Sequence, residues 1–252
     1  MTETKPSNAA QLASPTYILP ALDQDFLLGD SMRGTRFLLE YAKAEERLRA
    51  AAIHSTIVVF GSARVKQDGP GRQGFWYNEA RAFAQIASRE GGALQPREQG
   101  RFNVIATGGG PGVMEAANRG ATDVGAPSIG FNINLPREQQ PNPYITPELT
   151  FSFHYFAMRK MHLAMRAAAL AVFPGGFGTF DELFEILTLV QTGKAPKLPI
   201  VLVDRSYWTK VVSFEALLEA GVIGAQDLRL LSFAESGEEA WRALCEAGLS
   251  VL

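Results

Sequence analysis

Residues 174–182 read Pro-Gly-Gly-Phe-Gly-Thr-Phe-Asp-Glu, and they separate two segments of different period. Before them, residues 167–173 form a continuous apolar run of the kind found in a strand buried on both faces. After them, Leu183, Phe184, Ile186, Leu187, Leu189 and Val190 recur at helical spacing. Buried strand, glycine turn and helix, in that order, leave unpaired backbone N–H groups at a strand end. Such a junction is a natural seat for an anion such as phosphate.

The rest of the chain repeats the pattern. Residues 56–60 (TIVVF), 102–106, 128–133, 149–153, 168–173 and 198–203 read as strands, and residues 228–233 as an edge strand. Helical periodicity fills residues 32–50, 75–90, 113–121, 207–220 and 235–249, and a further helix ends near Arg166. Strands alternating with helices predict an α/β fold: a Rossmann-like, doubly wound parallel sheet of six or seven strands with helices on both faces. A chain of 252 residues, 46% of them hydrophobic, builds such a core without metal or disulfide staples. The expected organisation is a flexible tail over residues 1–21 and one domain over residues 22–252.

The balance of 24 basic against 26 acidic residues, net −2, points to neither nucleic acid nor an anionic membrane as partner. No apolar run approaches the ~18–20 residues of a membrane span. The first residues lack the basic and apolar regions of a signal peptide. Cys245 is the only cysteine, so no disulfide forms within the chain and a cytoplasmic setting is expected. Cys245 itself reads as a small apolar filler. His154 and His162 have no carboxylate company at ligand spacing, so no metal site is expected.

A second glycine turn, Thr-Gly-Gly-Gly-Pro-Gly over residues 107–112, also joins a strand to a helix. It is not the dinucleotide fingerprint, because the last glycine of that pattern falls on Val113. It is not a Walker A loop either, because no Gly-Lys-Ser/Thr follows. Two such turns at one sheet edge can bracket one ligand. Gly61-Ser62-Ala63-Arg64, after the first strand, reads either as another ligand-facing loop or as an ordinary strand-ending turn. Arg159 and Lys160 lie on an otherwise apolar helix start, where they either snorkel to solvent or face the phosphate or ribose of a ligand. Thr179-x-x-Glu182 has the spacing of a capping box, yet it directly follows glycines where backbone approaches a ligand closely.

The segment PGGFGTFDE resembles P-G-G-x-G-T-x-x-E, the signature of the LOG ("Lonely Guy") family of phosphoribohydrolases, often mislabelled lysine decarboxylases. Arg159-Lys160 looks like the family's second element. Residues 107–121 look like its other glycine turn, in the form found in longer bacterial members. The resemblance spans roughly residues 55–204. It implies an enzyme that cleaves the N-glycosidic bond of a nucleoside 5′-monophosphate (AMP or a cytokinin-riboside-monophosphate-like nucleotide) to free base and ribose 5-phosphate. It also implies Arg159 and Glu182 as catalytic residues. Substrate contacts would come from Gly109, Gly110, Glu138, Arg159, Lys160, Gly175, Gly176, Gly178, Thr179 and Thr188. No metal or cofactor is implied, and a homodimer or higher homo-oligomer is. The chain departs from the family at Phe156-Ala157-Met158, where Met-His-x is common, and at Ala168, where an acidic residue is common.

The chemistry fits those residues. Breaking an N-glycosidic bond builds positive charge on the ribose; a carboxylate, with Glu182 the candidate, either stabilises that charge or activates the incoming water. The phosphate would rest on the N–H groups of residues 175–179. Arg159 is a poor proton donor, with a pKa above ~12. The rival reading is a non-catalytic carrier or sensor of a nucleotide-like ligand. Amino-acid decarboxylation has no site here that explains a lysine Schiff base to pyridoxal phosphate.

Overall fold

A computed structural model describes residues 7–96, 98–135 and 140–251. The chain divides into two compact units, Met1–Lys43 and Ala44–Leu252. In the first lie two short helices, α1 (Ala9–Leu12) and α2 (Gln24–Leu28), and the start of α3 (Arg33–Ala50). Asp23 caps α2 by accepting from the Phe26 N–H at 3.0 Å. Arg36 donates to the carbonyls of Leu27 and Gly29 at 2.8 and 2.7 Å, so its charge serves the turn between helices.

The second unit is built on seven strands: β1 (Thr56–Phe60), β2 (Val104–Thr107), β3 (Ser128–Ile133), β4 (Thr150–Phe153), β5 (Ala167–Val172), β6 (Ile200–Val203) and β7 (Leu231–Ala234). All pair in parallel, in the order β4-β3-β2-β1-β5-β6-β7. Between them run α4 (Gln73–Glu90), α5 (Val113–Asp123), α6 (Phe156–Met165), α7 (Phe177–Gln191), α8 (Arg205–Val211), α9 (Phe214–Glu219) and α10 (Ala225–Leu228), and α11 (Gly237–Glu246) follows. Helices cover both faces of the sheet. Every residue of β1, β2, β3 and β6 is buried, which is why those strands read as unbroken apolar runs rather than alternating ones.

The expected doubly wound sheet is present with seven strands, the last at an edge. Its chain path sets the site. From β1 the chain winds outward through β2 and β3 to β4. It then returns to pair β5 beside β1 and winds the other way through β6 to β7. The loops after β1 and β5 therefore diverge, and they open a crevice at the carboxyl ends of these two strands.

One helix differs from expectation. The periodicity over residues 207–220 is cut in two: Val212 is extended, and the Ser213 hydroxyl accepts from the Ala216 N–H at 3.2 Å to start α9. A serine at a helix start competes for backbone donors that a continuous helix would use otherwise. β2 also begins two residues later than residue 102, because Asn103 turns the chain with φ 54° and its amide donates to Ser55 Oγ at 3.0 Å.

Two packing features carry stability. Gly120 lets α5 lie directly on α4, since a Cβ there would stand 2.2 Å from the Arg81 carbonyl oxygen. Gly120→Ala is expected to cost about 1–3 kcal/mol, read from chemical denaturation; a change near zero would show that the helices separate freely.

Glu45 is buried and held by Arg166 through two hydrogen bonds of 2.8 and 3.0 Å, with Arg49 Nε donating at 2.5 Å. The Arg166 hydrogen bond is the main influence. It outweighs burial and, with Arg49, holds the Glu45 carboxyl at about 2 against an ordinary 4.5. A folded-state value below the unfolded one gives stability that is fully present above pH 4.5 and is lost as pH falls through about 2. Glu45→Gln is expected to remove roughly 2–3 kcal/mol at neutral pH and to flatten the acid limb. Urea titrations at stepped pH test this, and an unchanged limb would overturn it.

Candidate active site

β5 ends at Val172, and the Phe173 N–H donates to the Phe60 carbonyl at 2.8 Å, so the β1–β5 ladder continues into the turn. The next residue, Pro174, offers its carbonyl to the Ser62 N–H at 3.1 Å. Gly175 has no room for a side chain: a Cβ would meet Thr179 Oγ1 at 2.1 Å and the Ser62 nitrogen at 3.0 Å. α7 then starts at Phe177 with Gly176 as its N-cap, and the Gly176 carbonyl takes the Thr179 and Phe180 N–H groups at 2.9 and 3.1 Å.

The capping-box reading of Thr179 and Glu182 is thereby corrected. The helix begins two residues before Thr179, and no side chain caps it. The amides of Phe177 and Gly178 precede the first intrahelical bond, so they remain available at the positive end of a 15-residue helix.

Glu182 lies one turn into α7 and is only 4% exposed. Its Oε1 accepts from Arg159 Nη2 at 2.5 Å. Arg159 projects from α6, its guanidinium stacked over the Phe156 ring at 5.3 Å. Its Nε is buried without a hydrogen-bond partner among the described residues. Burial is the largest influence on Glu182 and holds its carboxyl above the ordinary range, against the pull of Arg159.

The ion pair forms part of the wall of a cleft of about 660 Å³ at the carboxyl ends of β1 and β5. Gly175, Gly176, Gly178 and Thr179 line the same cleft, together with Gly108 and Met114 from the β2 side. The structure thus gathers Arg159, Glu182 and the α7 turn in one place.

Other expected site residues lie elsewhere. Gly109 and Gly110 are buried behind the cleft wall, where Asn132 and Asn142 donate to their carbonyls at 3.0–3.3 Å. Of that turn, only Gly108 lines the cleft. Lys160 points to the outer side of α7, pairing with Asp181 and Glu185 at 2.8 Å each. Burial acts to lower its ammonium, but the two carboxylates prevail and hold it above its ordinary value. Thr188 borders the same outer groove and donates to the Phe184 carbonyl at 2.7 Å. Glu138 lies outside the described residues.

Two cleft elements escaped the sequence reading or were left open by it. The loop of residues 61–64, left open between a ligand-facing loop and a plain turn, lines the cleft. Ser62 ties it to both glycine turns: its N–H donates to Pro174, and its carbonyl accepts from the Val113 N–H at 3.1 Å. Tyr207 was read only as a helix residue. Its hydroxyl donates to the Gly175 carbonyl at 2.5 Å, bracing the turn from the β6 side. Asp204 supports it from a left-handed backbone, φ 69°, accepting from the Tyr207 N–H, Ser206 and Trp76 and pairing with Arg72. No pattern in the sequence marks a tyrosine that reaches a turn 32 residues away.

Among the described residues, no group of three or more potential metal ligands occurs, and no helix is long and apolar enough to cross a membrane.

Comparison with known proteins bears on the family and the fold. The model of the family described as "possible lysine decarboxylase" matches residues 114–244, just over half of the chain. The chain is similar to cytokinin riboside 5′-monophosphate phosphoribohydrolase LOG7 of Arabidopsis thaliana, with 27% identity over 66% of the chain and 75% of that protein. It is also similar to the probable enzyme of this kind LOG4 of Oryza sativa subsp. japonica, with 28% identity over 66% and 71%. Among solved structures it resembles TM1055, with a TM-score of 0.53 and 20% identity over 76% of this chain and 99% of that one. A molybdenum cofactor binding protein from Rippkaea orientalis gives 0.52 and 20% over 77% and 96%. At that identity the two structures speak for the fold alone. By the extent of the family match and the relatives within it, the chain belongs to the "possible lysine decarboxylase" family, the LOG family of nucleotide phosphoribohydrolases.

Proposed function

We propose that the protein hydrolyses the N-glycosidic bond of a nucleoside 5′-monophosphate, AMP or a cytokinin-riboside-monophosphate-like nucleotide, to free base and ribose 5-phosphate. The observation that carries this reading is the Arg159–Glu182 pair, 2.5 Å apart and buried in a cleft beside the free amides of α7.

Each group has a role in that reaction. The 5′-phosphate rests on the amino end of α7, so binding energy remote from the reacting carbon fixes the ribose. The C1′–N bond breaks with its electron pair leaving on the base, and positive charge develops at C1′ and the ring oxygen. Glu182 stabilises that charge and takes a proton from the attacking water, whose oxygen forms the new bond to C1′. Arg159 orients Glu182 and keeps it ionised while the site is dry. The departing base takes up a proton from solvent and Glu182 gives back the one it accepted, so that one water is added across the C1′–N bond.

A lysine Schiff base has no support here. Among the described residues no lysine lines the cleft, and Lys160 is held as an ammonium on the other side of α7. We further propose that the chain works as a homo-oligomer in the cytoplasm. Phe177, 95% exposed at the cleft lip, and the half-covered Phe184 give α7 an apolar outer face.

Chromatography of wild-type incubations with a panel of nucleoside monophosphates tests the reaction. Release of free base is the expected result, and tight AMP binding with no adenine released would instead make the protein a carrier or sensor. Glu182→Gln is expected to keep the fold and to lower kcat by about 10²–10⁴-fold; undiminished base release would remove Glu182 from the mechanism.

The pH profile gives a further check. The reaction uses the carboxylate, and burial raises the Glu182 pKa, so activity is expected to fall with acidification at a pH above 4.5. An acid limb at or below 4.5 would contradict the assignment.

A further inference from the structure

The phosphate of a nucleotide brings a charge of about −1.5 to −2 into the cleft, and the cations that the signature supplies do not meet it. Arg159 is neutralised by Glu182 at 2.5 Å. Lys160 lies between Asp181 and Glu185 in the outer groove. Among the described residues lining the cleft, one other cation is present, Arg64. No described carboxylate forms an ion pair with it.

Arg64 is held at a defined place although its side chain is exposed. Its own N–H donates to Ser62 Oγ at 3.0 Å. Ser62 in turn is bonded through its backbone to Pro174 on one side and Val113 on the other. The next residue, Val65, is 5% exposed and anchors the loop in the core. The guanidinium thus springs from a braced loop at the carboxyl end of β1, in the same cleft as the uncapped start of α7.

From this charge distribution we infer that Arg64 is the cation that holds the substrate's 5′-phosphate against the amino end of α7, and so selects nucleotides over nucleosides. The inference rests on the nucleotide-hydrolysing reading of the site. A planar guanidinium offers paired donors to two phosphate oxygens, which a helix end alone does not. The remaining phosphate oxygen is left for the Phe177 and Gly178 amides.

The test compares wild type, Arg64→Gln and Arg64→Lys. For Arg64→Gln, KM for AMP is expected to rise about tenfold or more, with kcat within about twofold of wild type and an unchanged melting temperature. Inhibition by ribose 5-phosphate is expected to weaken in parallel, and Arg64→Lys to recover part of both. An unchanged KM together with unchanged ribose 5-phosphate inhibition would overturn the proposal. So would a fall in kcat at constant KM.

Calorimetric titration of ribose 5-phosphate separates this inference from the proposed reaction. If the wild type releases no base, the reaction fails, yet weaker ribose 5-phosphate binding by Arg64→Gln still upholds Arg64. Equal binding by both proteins, or no binding by the wild type, overturns it.

Discussion

The pairing of β5 with β1 is the constraint on which the site depends. These two strands are distant in sequence and lie side by side at the centre of the sheet, joined over five residue pairs. Because the chain reverses its winding direction there, the segments that leave the two carboxyl ends cannot cover one another. Their divergence leaves a crevice at the one position where several strands deliver backbone amides. Burial of β1 and of the last four residues of β5 fixes that location in the core.

Charge in the crevice is distributed between two sides of one helix. α7 presents Glu182 inward to Arg159 and Asp181 and Glu185 outward to Lys160. Neighbouring cations on α6, Arg159 and Lys160, are thereby given different environments. One shares a dry wall with a carboxylate whose ionisation burial resists. The other is tied to carboxylates that favour its charge, on the side away from the cleft. A pair that looks uniform as Arg-Lys divides its labour because successive helix residues point about 100° apart.

Much of this was legible in the sequence. Apolar runs located the strands, most closely those buried on both faces; β7 begins three residues later than the run at residues 228–233, whose first residue closes α10. The glycine signature pointed to the turn that lines the cleft, and the resemblance named Arg159 and Glu182, which the structure brings together as an ion pair. What escaped depended on contacts between segments far apart in the chain. The resemblance named Lys160 and Thr188 as substrate contacts, and the structure places both at the outer groove of α7. Gly109 and Gly110 looked like a cradle but serve asparagines that arrive from residues 132 and 142. Tyr207 reaches back from α8, after a separate strand, a contact that no local periodicity encodes. The helix start at Phe177 rather than Thr179 was obscured because glycine, with no side chain, gives no capping signal of its own.

Ser62 deserves a wider reading than that of a loop residue. One peptide unit donates to the β5 turn, and the adjoining carbonyl accepts from the first residue of α5. Two glycine turns separated by some 60 residues are thus clasped through a single residue's main chain, which no substitution at position 62 other than proline removes. The walls of the cleft consequently form one mutational unit: changes at Gly175 and at Gly112, each packed against this loop, should combine non-additively. Changes in what the cleft accepts would then fall on lining residues that the clasp does not touch, such as Met114 and Phe177.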